Sequence, residues 1–150
     1  MILIEKAQKE DLKEILELQY LAYQSEAKLF ENTDIPPLKQ TIEEVYDEFQ
    51  KGIILKEVDD KGVIIGSVRA YQKGRTVYIG KLIVHPKMQK KGIGTKLLLE
   101  IENEYPKQRY ELFTSTKSID NIRLYERLGY KIFKEELVSQ ELQFVYLQKY

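Results

Sequence analysis

The sequence predicts one α/β (α+β) domain over residues 1–150, a mixed and mostly antiparallel sheet with helices on both faces, in the order β-α-α-β-β-β-α-β-α-β-β. Three observations predict it. Short apolar, strand-like runs bounded by Gly, Pro and Asp recur along the chain. Amphipathic stripes of helical period separate some of them. Tight turns join others directly, which makes those neighbours hairpins.

"ILIEKA" (2–7) alternates as a short strand, and residues 9 to 29 read as a helix with Leu12, Ile15, Leu16, Ala22 and Tyr23 on one apolar stripe. "NTDIPPL" (32–38) must be a loop, because Pro36 and Pro37 lack the donors a helix needs. Thr41 followed by Glu44 forms a capping box that opens a second helix to Lys51, and Glu43 and Glu44 suit its positive end. "GIILKEV" and "GVIIGSVRAY" make a hairpin through "DDKG", and the turn "QKGR" leads on into "TVYIGKLIV". The helix after Gly94 carries Leu97, Leu98, Ile101 and Tyr105 on one face and ends at Pro106. "YELFTS" is a fifth strand, residues 118–128 are an amphipathic helix stopped by Gly129, and "YKIFKEELV" with "ELQFVYLQK" closes the chain as a strand pair. No repeat, linker or low-complexity tract interrupts this order.

Composition excludes several chemistries. The chain has no cysteine, so disulfides, thiolate catalysis and Cys-based zinc sites are ruled out, and a single histidine, His85, argues against a metal site built by the protein alone. "MILIEKAQKE" turns charged too soon for a signal-peptide core, and no apolar run is long enough to span a bilayer. A cytoplasmic protein with no membrane partner is expected. Net charge is zero but unevenly spread: Lys61 to Leu99 holds nine basic residues and no acid, whereas Gln24 to Gln50 holds seven acids and two lysines. One part of the molecule thus suits an anion and another a cation.

The basic stretch contains "VHPKMQKKGIGTKLL" (84–98), a strand end, a glycine-containing loop and a helix start. Free backbone N–H groups and the helix dipole converge at such a junction and make an anion site. A P-loop needs Gly-Lys-Ser/Thr, but Thr95 precedes Lys96 after Gly94. A dinucleotide fingerprint needs a small residue where Leu97 stands. Both readings fail on residue identity. The lysines gather at this loop while the rest of the chain is acidic, so nucleic acid is not an expected partner.

A third pattern fits. Gln89-x-x-Gly92-x-Gly94 after the fourth strand resembles the acyl-coenzyme A loop of the GNAT superfamily of N-acetyltransferases, and "NIRLYERLGY" (121–130) resembles that family's later helix. The order of elements matches over nearly the whole chain. The resemblance implies acetyl-CoA as cosubstrate, without metal. Backbone N–H groups of Lys90, Lys91, Gly92, Ile93, Gly94 and Thr95 would cradle the pyrophosphate, with Gln89 opening the motif. Gly92 and Gly94 would admit the phosphates closely, and Lys87, Lys90, Lys91 and Lys96 would add positive potential. Leu82, Ile83 and Val84 would bond the pantetheine arm where their strand splays from its neighbour, one N–H polarising the thioester carbonyl.

Tyr125 occupies the position of the family's general acid, which protonates the departing thiolate. Many members carry an asparagine seven residues before that tyrosine, where this chain has Ser118; here Asn121 lies four before. Both spacings share a helical face, so Asn121 is carried over as a cofactor contact and Ser118 as a weaker one or as the helix N-cap. The reaction implied is acetyl transfer to an amine, with a small cationic acceptor favoured by the acidic first third. Transfer to a protein N-terminus or lysine, and a non-catalytic acyl-CoA-binding module, are the alternatives. An amine with pKa ~10 must lose a proton before it attacks. "TVYIGKLIV" has no acid and "YELFTS" has only Glu111 at its start, so the base is unassigned. Glu26, Glu31 and Asp34 are candidates for holding a cationic acceptor or relaying a proton, against an ordinary solvated role. His85 reads as part of a turn, and Tyr20, Tyr23, Tyr71 and Tyr78 as packing residues that could also line an acceptor pocket. The partners expected are a small amine and, at most, a second copy of the chain.

Overall fold

The computed structural model describes residues 3–30, 35–140 and 142–150, with residues 29 and 30 described in backbone only. Its strands are β1 (Leu3–Lys6), β2 (Ile53–Val58), β3 (Ile64–Lys73), β4 (Thr76–Val84), β5 (Arg109–Ser115), β6 (Lys131–Ser139) and β7 (Leu142–Lys149). The helices are α1 (Leu12–Phe30), α2 (Ile42–Lys51), α3 (Ile93–Glu104) and α4 (Ile119–Arg127). The expected order of elements is present. The sheet runs β1-β2-β3-β4-β5-β7-β6, and β4–β5 is its parallel pair among otherwise antiparallel neighbours. β7 inserts between β5 and β6, so the closing hairpin joins the sheet through its second strand.

Three places differ from the sequence expectation, one of them Pro36–Leu38, expected as loop, which forms a 3-10 turn with the prolines at its start. Residues Lys9–Asp11 form a tighter 3-10 turn before α1, where the Gln8 N–H donates to the Asp11 carboxylate at 2.8 Å. α3 begins at Ile93 with Gly92 as its N-cap, which puts Gly94 inside the first turn and not ahead of it. The Thr41 capping box forms as expected: the Glu44 N–H donates to Thr41 Oγ1 at 3.2 Å, and the Thr41 N–H to Glu44 Oε1 at 2.9 Å.

Strand alternation sorts the core into two layers. Leu55, Ile65, Val77, Ile79 and Leu112 meet α3 and Tyr125 of α4 on one face. Ile54, Ile64 and Ile83 meet Leu12, Ile15 and Leu16 of α1 and Val45 of α2 on the other. Gly66 brings α3 close to β3: a Cβ there would lie 2.9 Å from Leu97 Cδ1 and 3.0 Å from Ile93 Cγ2.

The site is positioned by what happens to β4. It pairs with β5 only through Thr76↔Arg109, Val77↔Tyr110 and Tyr78↔Glu111, after which the two strands part. On its other edge, β4 opposes Arg69 with Gly80 and Ser67 with Ile83, so Lys81 and Leu82 together face the single residue between. This is a β-bulge, with Lys81 in the left-handed region at φ 50°. A bulge bends and twists its strand, and here it falls just where β4 leaves β5.

Candidate active site

Beyond the parting point, the β5-facing backbone groups of Leu82, Ile83 and Val84 have no strand partner, although β4 stays paired with β3 through Ile83 and Val84. Leu82 and Val84 direct their side chains toward the α3 face and Ile83 toward the α1 face. The backbone edge between them is therefore held rigidly by both cores.

The chain then passes through Pro86–Met88, a 3-10 turn in which His85 Nδ1 accepts the Lys87 N–H at 3.1 Å. That bond occupies one ring nitrogen in a local turn, the role its sequence position predicts. In the loop that follows, Lys90 (φ 64°) and Gly92 (φ 81°) are both left-handed. Alternating handedness turns successive N–H groups toward one side, the geometry of an anion nest. No side chain caps α3, whose first ladder bond runs from the Lys96 N–H to the Gly92 carbonyl. Lys91 closes a turn over Gln89 and Lys90, and among the described residues no backbone carbonyl accepts from the N–H groups of Lys90, Gly92, Ile93, Gly94 and Thr95. Gln89, Lys90, Lys91 and Lys96 are exposed around them, while the Ile93 side chain anchors the helix in the core. Lys96 also acts on Glu57, a buried carboxylate of β2 whose two oxygens lack partners; burial pushes its pKa up and Lys96 partly opposes this. The lysine is thus shared between the loop and the sheet.

α4 packs against this junction. The nearest atom to a Cβ built on Gly94 is Leu124 Cδ2 at 3.5 Å, followed by Val84 and Leu82 side chains. One residue on, Tyr125 is buried among the α3-face core residues and its ring lies 6.1 Å from that of Tyr130. Burial pushes its phenol well above the usual range, and the negative charge of Glu26 adds to this. Tyr23 of α1 is raised in the same way, by burial first and then by Glu26 and Tyr125.

Ser118 stands at the N-cap position of α4 but does not cap it with its side chain. Its hydroxyl instead donates to Glu26 Oε1 at 2.5 Å, joining residues 92 apart in sequence. Glu26 sits on α1, on the opposite face of the sheet from the core that receives Tyr125. The Glu26–Ser118 bond therefore joins the two faces beside the end of β5, and the charge of Glu26 acts on Tyr23 and Tyr125. Asn121 is half-buried on the same helix. Glu31 and Asp34 lie outside the described residues.

The other acids of the first third are largely spent within the fold. Asp47 pairs with Lys51 at 2.8 Å and Glu44 closes its capping box. Glu48 holds the buried Arg69 at 2.5 Å, and the same guanidinium donates to Gln19 and Gln40, a network the sequence did not suggest. Beside it, Pro36, Lys39, Gln40, Glu44 and Lys81 line a cavity of about 310 Å³. Burial lowers the Lys81 pKa, with Glu48 and Glu44 pulling against it. Among the described residues no group of His, Asp and Glu side chains could hold a metal ion, and no helix is long and apolar enough to cross a membrane.

Comparison with known proteins bears on this geometry. The family model described as acetyltransferase (GNAT) family matches residues 4–130. The fold superposes on PaiA N-acetyltransferase from Thermoplasma acidophilum, solved in complex with coenzyme A, with a TM-score of 0.81 at 18% identity over 99% of this chain and 98% of that one. It superposes equally on the ribosomal-protein-S18-alanine N-acetyltransferase of Escherichia coli, TM-score 0.81 at 13% identity, over 99% and 93% of the two chains. In sequence it is 25% identical to the UPF0157 protein YqkA of Bacillus subtilis over 120 residues, 79% of this chain and 34% of that protein. The chain thus spans about a third of that relative's length.

Proposed function

Because this chain belongs to the acetyltransferase (GNAT) family, we propose that it transfers the acetyl group of acetyl-CoA to the amine of a small acceptor by direct attack in a ternary complex. The observation that carries the reading is the coincidence of two unfilled backbone edges. The parted end of β4 and the N–H groups of Lys90 and of Gly92 to Thr95 lie in succession along one chain segment. The first suits the amides of a pantetheine arm, which would add to β4 as a strand does. The second suits a pyrophosphate, with Lys87, Lys90 and Lys91 supplying field around it.

Within that frame Tyr125 is the acid. Its helix neighbour Leu124 packs at Gly94 close to Leu82 and Val84, and the buried phenol keeps its proton at neutral pH until a thiolate forms. Asn121, on the adjoining turn of the helix, contributes a polar contact to the cofactor. With no cysteine in the chain to carry the acetyl group, the amine attacks the thioester directly. The neutralised acids of α2 weaken the argument from overall acidity, and the acceptor's cationic part is its ammonium.

The test is calorimetric titration with acetyl-CoA, together with thiol release measured against a panel of small amines and N-terminal peptides. Turnover confined to small amines supports the reading. Tight binding with no turnover on any amine would establish a non-catalytic acyl-CoA module instead, and turnover on peptides alone would transfer the activity to protein acceptors.

A further inference from the structure

We propose that Glu26 is the base that takes the proton from the acceptor's ammonium, and that Ser118 is the positioning residue that holds it there. This rests on the acetyltransfer reading above. Three observations carry it. First, Ser118 withholds its side chain from its own helix end and donates to Glu26 instead. The bond fixes one carboxylate oxygen. Second, among the described residues no ion pair reaches Glu26, in contrast to Asp47 and Glu48, which are paired with Lys51 and Arg69. A half-buried carboxylate without a cation is a ready place for an ammonium group. Third, the charge of Glu26 raises the pKa of both Tyr23 and Tyr125, so it lies within electrostatic reach of the acid assigned above. The groups facing it are Tyr23 on its own helix and Ser118 and Tyr125 on α4; Arg69 and Glu48 act in turn on Tyr23.

The proton balance closes with these groups. Glu26 accepts one proton from the ammonium, and the freed nitrogen lone pair attacks the thioester carbonyl carbon. The C–N bond forms and the C–S bond breaks, while the nitrogen sheds its second proton. Tyr125 gives its proton to the departing thiolate and recovers one from solvent, while Glu26 and the nitrogen release theirs to solvent. The net release is one proton to solvent for each amide made.

Burial raises the Glu26 pKa and the Ser118 hydrogen bond opposes that rise. The base form is the carboxylate, so activity increases with pH through the Glu26 titration, and removing the Ser118 donor moves that limb to higher pH. Glu26→Gln keeps an acceptor for Ser118 and removes the base. Its kcat/KM should fall by about 10²–10⁴ at neutral pH, with acetyl-CoA affinity unchanged. The deficit should close toward pH ~10, where the amine sheds its own proton. Ser118→Ala should shift the ascending limb upward. A deficit that is constant across pH, or a wild-type profile in either variant, would overturn the assignment. Carboxyl NMR of the full-length protein without acceptor gives an independent check: Glu26 should titrate above ordinary glutamates and move higher in Ser118→Ala. An ordinary titration that ignores Ser118 would also overturn it. Failure of the wild type to bind acetyl-CoA, or to acetylate any amine, would remove the parent reading and this proposal with it.

Discussion

Gly94 separates what the fold needs from what the ligand needs. It has a helical backbone, not a left-handed one, and a Cβ built on it touches Leu124 Cδ2 at 3.5 Å, an ordinary van der Waals distance. Gly94→Ala should therefore leave the fold intact, or stabilise it by up to about 1 kcal/mol, since alanine is the better helix former. The cost should fall on binding. The Gly94 N–H is one of the partnerless donors at the α3 start, and a charge-assisted hydrogen bond of this kind contributes about 1.5–3 kcal/mol. Losing close approach to it corresponds to a roughly 10- to 150-fold rise in the Kd for acetyl-CoA. Gly94→Val, with a branched Cβ, should be worse on both counts. The assay pairs a thermal melt of the free protein with calorimetric titration of acetyl-CoA. A variant that melts normally and binds normally would refute the loop assignment, and one that fails to fold would mean that Gly94 serves packing after all.

Three further outcomes follow from the same structure. Tyr125→Phe should lower kcat by about tenfold or more while leaving acetyl-CoA affinity within a factor of about two, because the ring stays packed and only the proton is lost; single-turnover kinetics would reveal equal rates if the acid role is wrong. Gly66→Ala should destabilise the domain by about 1–3 kcal/mol in urea unfolding, since its Cβ meets Leu97 and Ile93 side chains at 2.9 and 3.0 Å, and an unchanged midpoint would mean that α3 shifts freely. Glu57, buried with its pKa raised, contributes stability that is full below the ordinary carboxylate pKa and is lost as pH rises through its folded value. Glu57→Gln should accordingly flatten the decline in stability between acid and neutral pH, and an unaltered pH profile of the unfolding midpoint would refute that origin.

The fold was legible wherever local chemistry decides structure. Thr41 with Glu44 gave the start of α2, and the apolar stripes Leu12, Ile15, Leu16 and Leu97, Leu98, Ile101 gave the buried faces of α1 and α3. Hairpin turns gave the β2–β3–β4 meander. The position of β7 between β5 and β6 was not legible, because strand order beyond a hairpin depends on which edge is free, and no single segment records that. The bulge at Lys81 was hidden for a related reason. A lysine carries none of the glycine signal that marks a left-handed residue, and only the register against β3 reveals it. Lys90 at φ 64° escaped in the same way, although the glycine two positions later pointed to the loop.

At the site, the sequence resolved one side of each contact. Periodicity along α4 places Ser118, Asn121 and Tyr125 on a shared face, and glycine spacing marks the α3 start. What that face meets lies 92 positions away, on a helix from the other layer of the domain. In sequence, Glu26 is one acid among seven, and composition treats the seven alike. The structure distributes them unequally: Glu44 goes to a cap, Asp47 and Glu48 to cations, and Glu26 to a serine hydroxyl. An acid that is spent on a cap or a cation has its charge already answered. One held by a neutral donor keeps its charge for something that arrives, and that difference, not acidity as such, is what supports the proposal that the acceptor's ammonium docks beside Glu26.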